Sequence, residues 1–76
     1  MNNELTTESI EYIVSRLIES AMESSKDFKA DMSNSFYAGR NEAYYEMLDI
    51  IKSELEIRGQ DLTKFGLDFD LEKTIA

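Results

Sequence analysis

The sequence of 76 residues contains no cysteine, histidine, tryptophan or proline, and only three glycines. Without cysteine the chain has no disulfide, no thiolate nucleophile and no sulfur metal ligand. Without histidine it lacks the commonest general base and metal ligand. It also has no glycine-rich phosphate loop, and no base is available to activate a serine. We therefore expect a protein that is not an enzyme, with no catalytic residues, no cofactor and no dedicated metal site.

Basic residues are few, with eight Lys and Arg against sixteen Asp and Glu, and the net charge is −8. Nowhere do three basic residues stand together, which argues against nucleic acid and anionic membrane surfaces as partners. Apolar runs are pairs and triplets, far short of the roughly 20 residues that a membrane span needs. Residues 1–4 show no signal-peptide pattern, so we expect a cytoplasmic protein, and the small size suggests a bacterial origin.

A first helix is predicted over about residues 7–31. Thr6 or Thr7 can cap its start, and apolar residues then recur at helical spacing from Ile10 to Met32. The best break is residues 31–35, because Ser, Asn and Asp side chains compete with helical hydrogen bonds and then cap a new helix. A break at residues 23–26 and one unbroken helix to residue 58 are the alternatives.

A second helix is predicted over about residues 35–58, and its apolar face is unusually wide. Phe36, Ala43, Ile50 and Ile57 repeat every seven residues, with further apolar lines beside them. The face covers about half of the helix circumference, whereas one partner helix buries about a third. We therefore predict an all-α antiparallel two-helix hairpin that forms a homodimeric four-helix bundle.

The predicted C-terminal segment consists of a short turn at residues 61–65 and a tail at residues 66–76, within a single domain spanning residues 1–76. Asp61 can cap the turn and Gly66 can end it. Residues 67–71 alternate apolar and acidic, so the tail lies extended in a groove, or Asp70 caps a final helical turn. Its apolar residues are expected to fold back and cap one end of the bundle.

Interface candidates come from the second helix. Arg40 and Glu54 fall in its apolar sector. Arg40 is expected to snorkel at the hairpin tip and Glu54 to pair with Arg58 or Arg16, or else both set the register or orientation of an assembly. Tyr45 points away from the main apolar face, as an interface tyrosine does. Gly39 is predicted to pack against the large Phe28, with a hinge as the alternative. The full candidate set is Phe36, Tyr37, Arg40, Tyr44, Tyr45, Met47, Leu48, Ile51, Glu54 and Leu55.

The main hypothesis for function is a small adaptor or regulatory protein with an unidentified protein partner. The acidic residues support two alternatives. In the first, the acidic surface mimics DNA and inhibits a basic DNA-binding protein. Both halves carry −4 (three bases against seven acids through residue 38, five against nine after it), an even spread typical of generic solubility. In the second, carboxylate pairs spaced four apart, Glu19/Glu23, Asp27/Asp31 and Glu42/Glu46, bind a metal ion.

Overall fold

The computed structural model describes residues 4–75, and all regular structure in that range is helical. The elements are α1 (Thr7–Ala30), α2 (Ser35–Ile57), a single 3-10 turn (Leu62–Phe65) and the short α3 (Leu71–Thr74). The predicted all-helical hairpin with a short C-terminal tail is therefore confirmed. Residues 1–3 and residue 76 lie outside the described part. The expectation about a signal peptide, made for residues 1–4, and the last residue of the predicted tail therefore fall mostly or wholly outside it.

Side-chain caps begin both long helices. The Thr6 side chain accepts a hydrogen bond from the Ser9 backbone N–H at 3.0 Å, and that of Asn34 accepts one from the Tyr37 N–H at 3.1 Å. Each cap satisfies one of the backbone N–H groups that a helix start leaves without a partner. The chain reverses between Ala30 and Ser35, so the polar segment at residues 31–34 joins two antiparallel helices of nearly equal length.

Two glycines end helical segments in the left-handed region that side chains with a Cβ avoid. Gly59 follows α2 with φ of 69°, and Gly66 follows the 3-10 turn with φ of 71°. Gly66 also lies close to α1, because a Cβ built on it would stand 3.6 Å from Cδ1 of Ile18. The 3-10 turn is thus held against the first helix at the point where the tail begins.

The C-terminal segment supplies most of the core. Seven apolar residues are fully buried in the described part, and four of them come from residues beyond α2. The seven are Val14, Ala21, Leu48, Phe65, Leu67, Leu71 and Ile75. The two long helices alone therefore enclose very little, and the chain reaches a packed core only when its tail returns.

The tail runs along the groove between the two helices, and the prediction that it caps one end is wrong. Gly66 lies at Ile18, near the middle of α1, whereas Thr74 contacts Ser25 farther along the same helix. Seven residues of α-helix separate those contacts, a distance of about 10 Å. The molecule measures 48 × 26 × 15 Å, because the hairpin and the tail form two thin layers.

Gly39 does not pack against Phe28, so that prediction is also wrong. Gly39 is exposed, and apart from its own stretch of α2 no atom of the described chain lies within 4 Å of a Cβ built on it. Phe28 is half-buried elsewhere along the seam between the helices. The prediction rested on the distance of Gly39 from the turn of the hairpin, whereas its position around α2 places it on the side that the chain leaves uncovered.

Candidate interaction surface

The hairpin has two faces, and the tail covers one of them with hydrogen bonds from α2. The Asn41 side-chain amide donates to the backbone carbonyl of Ile75, and Nζ of Lys52 donates to the carbonyl of Phe69 at 2.7 Å. Asn41 is itself buried. Because a short tail lacks a sheet or long helix to satisfy its carbonyls, these donors replace the missing backbone partners.

Donors from α1 hold the end of the same tail. The Ser25 hydroxyl and Nζ of Lys29 both donate to the carbonyl of Thr74, each at 3.3 Å. Ser25 is buried and Lys29 is exposed, so the Thr74 carbonyl accepts one hydrogen bond from the interior and one from the surface. Side chains from both helices therefore fix where the tail lies, and we call the surface beneath it the closed face.

The opposite side of α2 is uncovered. Asn41, Tyr45 and Lys52 on the closed face lie roughly 140 to 180° around the helix from Phe36. The positions on this side recur every three or four residues along the full length of α2, and all but the half-buried Arg40 are exposed. We call this set the open stripe: Phe36, Arg40, Ala43, Met47, Ile50, Glu54 and Ile57.

Large apolar side chains in the open stripe face solvent. Phe36, Ile50 and Ile57 are 69%, 62% and 76% exposed. Ile13 of α1 is 48% exposed as well. Scattered apolar residues are normal on protein surfaces, but a continuous line along one helix is typical of an interaction site.

Both charges in the open stripe have intrachain partners. Arg40 is half-buried and contacts Asp27 of α1 at 3.3 Å across the hairpin. Glu54 contacts Arg58 at 3.1 Å, one turn along α2. Of the two partners predicted for Glu54, Arg58 and Arg16, the structure has Arg58. Arg40 pairs with a residue of the other helix, and the expected snorkelling is replaced by this ion pair. Each charge is neutralised locally, so the open stripe carries no net repulsive charge despite the acidic chain.

A second surface is an acidic groove of about 610 Å³ between α2 and the tail. Tyr45 lies in the wall of this groove, and the pKa of its phenol is raised. The main cause is partial burial, and the negative charges of Glu72, Asp49 and Asp70 add to it. Lys52 also lines the groove, but its ammonium group is engaged by the Phe69 carbonyl. Five carboxylates line it in all: Asp49, Glu56, Asp68, Asp70 and Glu72.

The ten predicted interface residues fall into three groups. Phe36, Arg40, Met47 and Glu54 belong to the open stripe, and Tyr45 lies in the acidic groove. The remaining five face the seam or the core: Tyr37, Tyr44, Leu48, Ile51 and Leu55. Leu48 is only 1% exposed, so it is used entirely inside the chain.

Sequence reasoning did not place Ile50 and Ile57 among the interface candidates, although both stand in the open stripe. Their seven-residue repeat with Phe36 was the available signal: it indicated the wide apolar face, but of that line only Phe36 is among the interface candidates. The tail's donors, such as Asn41, were also missed. No local pattern marks them, because their acceptors lie up to 49 residues away along the chain.

The predicted carboxylate pairs do not converge. Within residues 4–75, no group of three or more Asp and Glu side chains is placed to hold a metal ion. Nor does that part of the chain contain a helix of the length and apolarity that crossing a bilayer demands.

Comparison with known proteins adds no relative from which a role could be transferred. No protein-family model, no curated protein and no solved structure matches this chain. The surfaces themselves are therefore the basis for a functional hypothesis.

Proposed function

We propose that this chain is a small, non-catalytic interaction protein that works as a homo-oligomeric helical bundle. The observation that carries the proposal is the open stripe, whose three largest aliphatic and aromatic side chains are more than 60% exposed. The tail already covers the other face, and no further segment of residues 4–75 covers this one. A helix face of this kind is normally buried against another helix.

Small size supports the same proposal. A domain of about 80 residues or fewer rarely gains more than a few kcal/mol from its own core. The chain has no disulfide to add stability. Association of two copies buries further apolar surface and is the commonest remaining source of stability.

Sedimentation velocity across a dilution series tests the proposal, with Ile50→Glu as the disrupting variant. Its control is Tyr12→Glu, which adds the same charge at a residue of similar exposure, 59% against 62%, outside the open stripe. We expect the parent and Tyr12→Glu to associate and Ile50→Glu to shift toward the monomer. A parent chain that stays monomeric and fully helical at every concentration would contradict the proposal.

The acidic groove supports a second candidate function, binding of a basic protein segment. Five carboxylates around one hollow attract Lys and Arg side chains, as in a DNA mimic. A decalysine peptide should bind at low salt and dissociate as salt screens the charges. Asp68→Asn with Glu72→Gln should weaken that binding, and Glu19→Gln with Glu23→Gln on α1 is the charge-matched control. Equal weakening by both pairs would count against the groove.

A further inference from the structure

The open stripe has an internal symmetry centred on Met47. Arg40 and Glu54 each stand seven residues from Met47. Ala43 stands four residues before it, and Ile50 stands three residues after it. Phe36 and Ile57, the two ends, stand eleven and ten residues away. The spacing of the stripe is therefore nearly symmetric about Met47, and each of the other six positions has a counterpart of different chemistry.

From this symmetry we propose that a second copy of the chain docks antiparallel on the open stripe, with the two-fold axis at Met47. The proposal rests on the homo-oligomer proposed above and specifies its orientation and register. In a two-fold interface, each position meets its counterpart from the other copy. The inference rests on Arg40 and Glu54, which stand at equal distances on either side of Met47 in one exposed, largely apolar stripe.

Charge complementarity favours the antiparallel orientation. Arg40 of each copy faces Glu54 of the other, so two ion pairs flank the axis. In a parallel arrangement of α2 on α2, Arg40 would face Arg40 and Glu54 would face Glu54, and both contacts would be repulsive. Both side chains already have intrachain partners at 3.3 and 3.1 Å, so each pair between copies extends an existing ion pair.

Side-chain size is also complementary in this register. The small Ala43 faces Ile50 of the second copy, so a large side chain enters the space that a small one leaves. Phe36 faces Ile57, which buries the two most exposed large side chains of the stripe against each other. Met47 meets its own copy at the axis, where its flexible side chain can adapt to an identical neighbour.

Engineered cysteines test the register cleanly because the chain has none of its own. A disulfide requires two Cα atoms within about 7 Å, so Met47→Cys should cross-link to itself under mild oxidation. Phe36→Cys alone and Ile57→Cys alone should not, whereas an equimolar mixture of the two should form the mixed disulfide. Tyr12→Cys, at an exposed residue outside the stripe, is the control for random collision and should stay reduced.

Charge exchange provides an independent test. Arg40→Glu alone and Glu54→Lys alone should each weaken association on the order of tenfold, since each converts two attractions into repulsions. The double variant should restore association. Its intrachain neighbours, Asp27 and Arg58, still face like charges, so only contact between copies explains a rescue.

The outcomes separate this inference from the proposed function. Self-cross-linking at Met47 with rescue by the double variant supports the register. A dimer in which Phe36→Cys links to itself is parallel, and it overturns the register while keeping the homo-oligomer. A dimer that links at neither position, as when α2 sits on α1 of the second copy, also overturns the register. A chain that sediments as a monomer at every concentration overturns both.

Discussion

The closed and open faces of the hairpin are built from the same two helices and differ in what covers them. On the closed face the 3-10 turn and the tail together contribute four of the seven fully buried apolar residues. On the open face Phe36, Ile50 and Ile57 remain in water. The difference shows that the apolar residues after α2 are enough to cover one side of a helical hairpin, while the other side stays exposed to water.

The largest predicted effect tests whether the closed face holds the fold together. Leu67→Ala should lower the free energy of unfolding by about 2–5 kcal/mol, because it leaves a cavity where Leu67 is fully buried. Leu5→Ala is the matched control: the same atoms are removed from a residue that is 67% exposed, and the change should stay within about 0.5 kcal/mol. Urea unfolding measures both. Equal effects would show that the tail does not form a core.

A smaller effect on stability is expected at Ser24 of α1, between the closed and open faces. Ser24 is buried, and its hydroxyl has no hydrogen-bond partner among the described residues. Ser24→Ala should therefore stabilise the protein by about 1 kcal/mol, since it removes an unsatisfied polar group. Ser53→Ala, at an exposed position of α2, is the control for the gain in helix propensity that both substitutions share. If the two variants gained the same stability, the Ser24 hydroxyl would have a partner in solution.

The smallest effect is a pH dependence at the acidic groove. The fold raises the pKa of Tyr45 above its ordinary value of 10.0, so folding favours the neutral phenol. The associated stability is fully present below pH 10 and is lost as the pH rises through the folded pKa. Tyr45→Phe should reduce this loss. Thermal unfolding between pH 8 and 11 measures the difference, and identical curves for Tyr45→Phe and the parent would refute it.

The helices were predictable because their signals are local. Thr6 and Asn34 cap the elements that follow them, and Gly66 ends the 3-10 turn, each acting on backbone groups a few residues away. Asp70 likewise begins α3 by accepting from the Lys73 N–H. Hydrophobic periodicity then fixes which side of each helix is apolar.

The path of the tail and the division of interface residues were not predictable in the same way. Periodicity showed that α2 is apolar over half of its circumference, but it could not say which part the tail would cover. Leu48 and Met47 are neighbours of similar character in the sequence, yet one is buried and the other is 45% exposed. The outcome depends on contacts such as that between Asn41 and Ile75, which are distant in the chain.

The amino-acid order by itself determined the helical class, the caps, the broad apolar face and the excess of acidic charge. The tertiary structure alone decided which face the tail occupies, and it gathered five carboxylates around one groove although the two halves of the chain carry equal charge. The physical reason is range. Capping and periodicity act within one or two helical turns, whereas burial depends on which distant segment displaces water from a face.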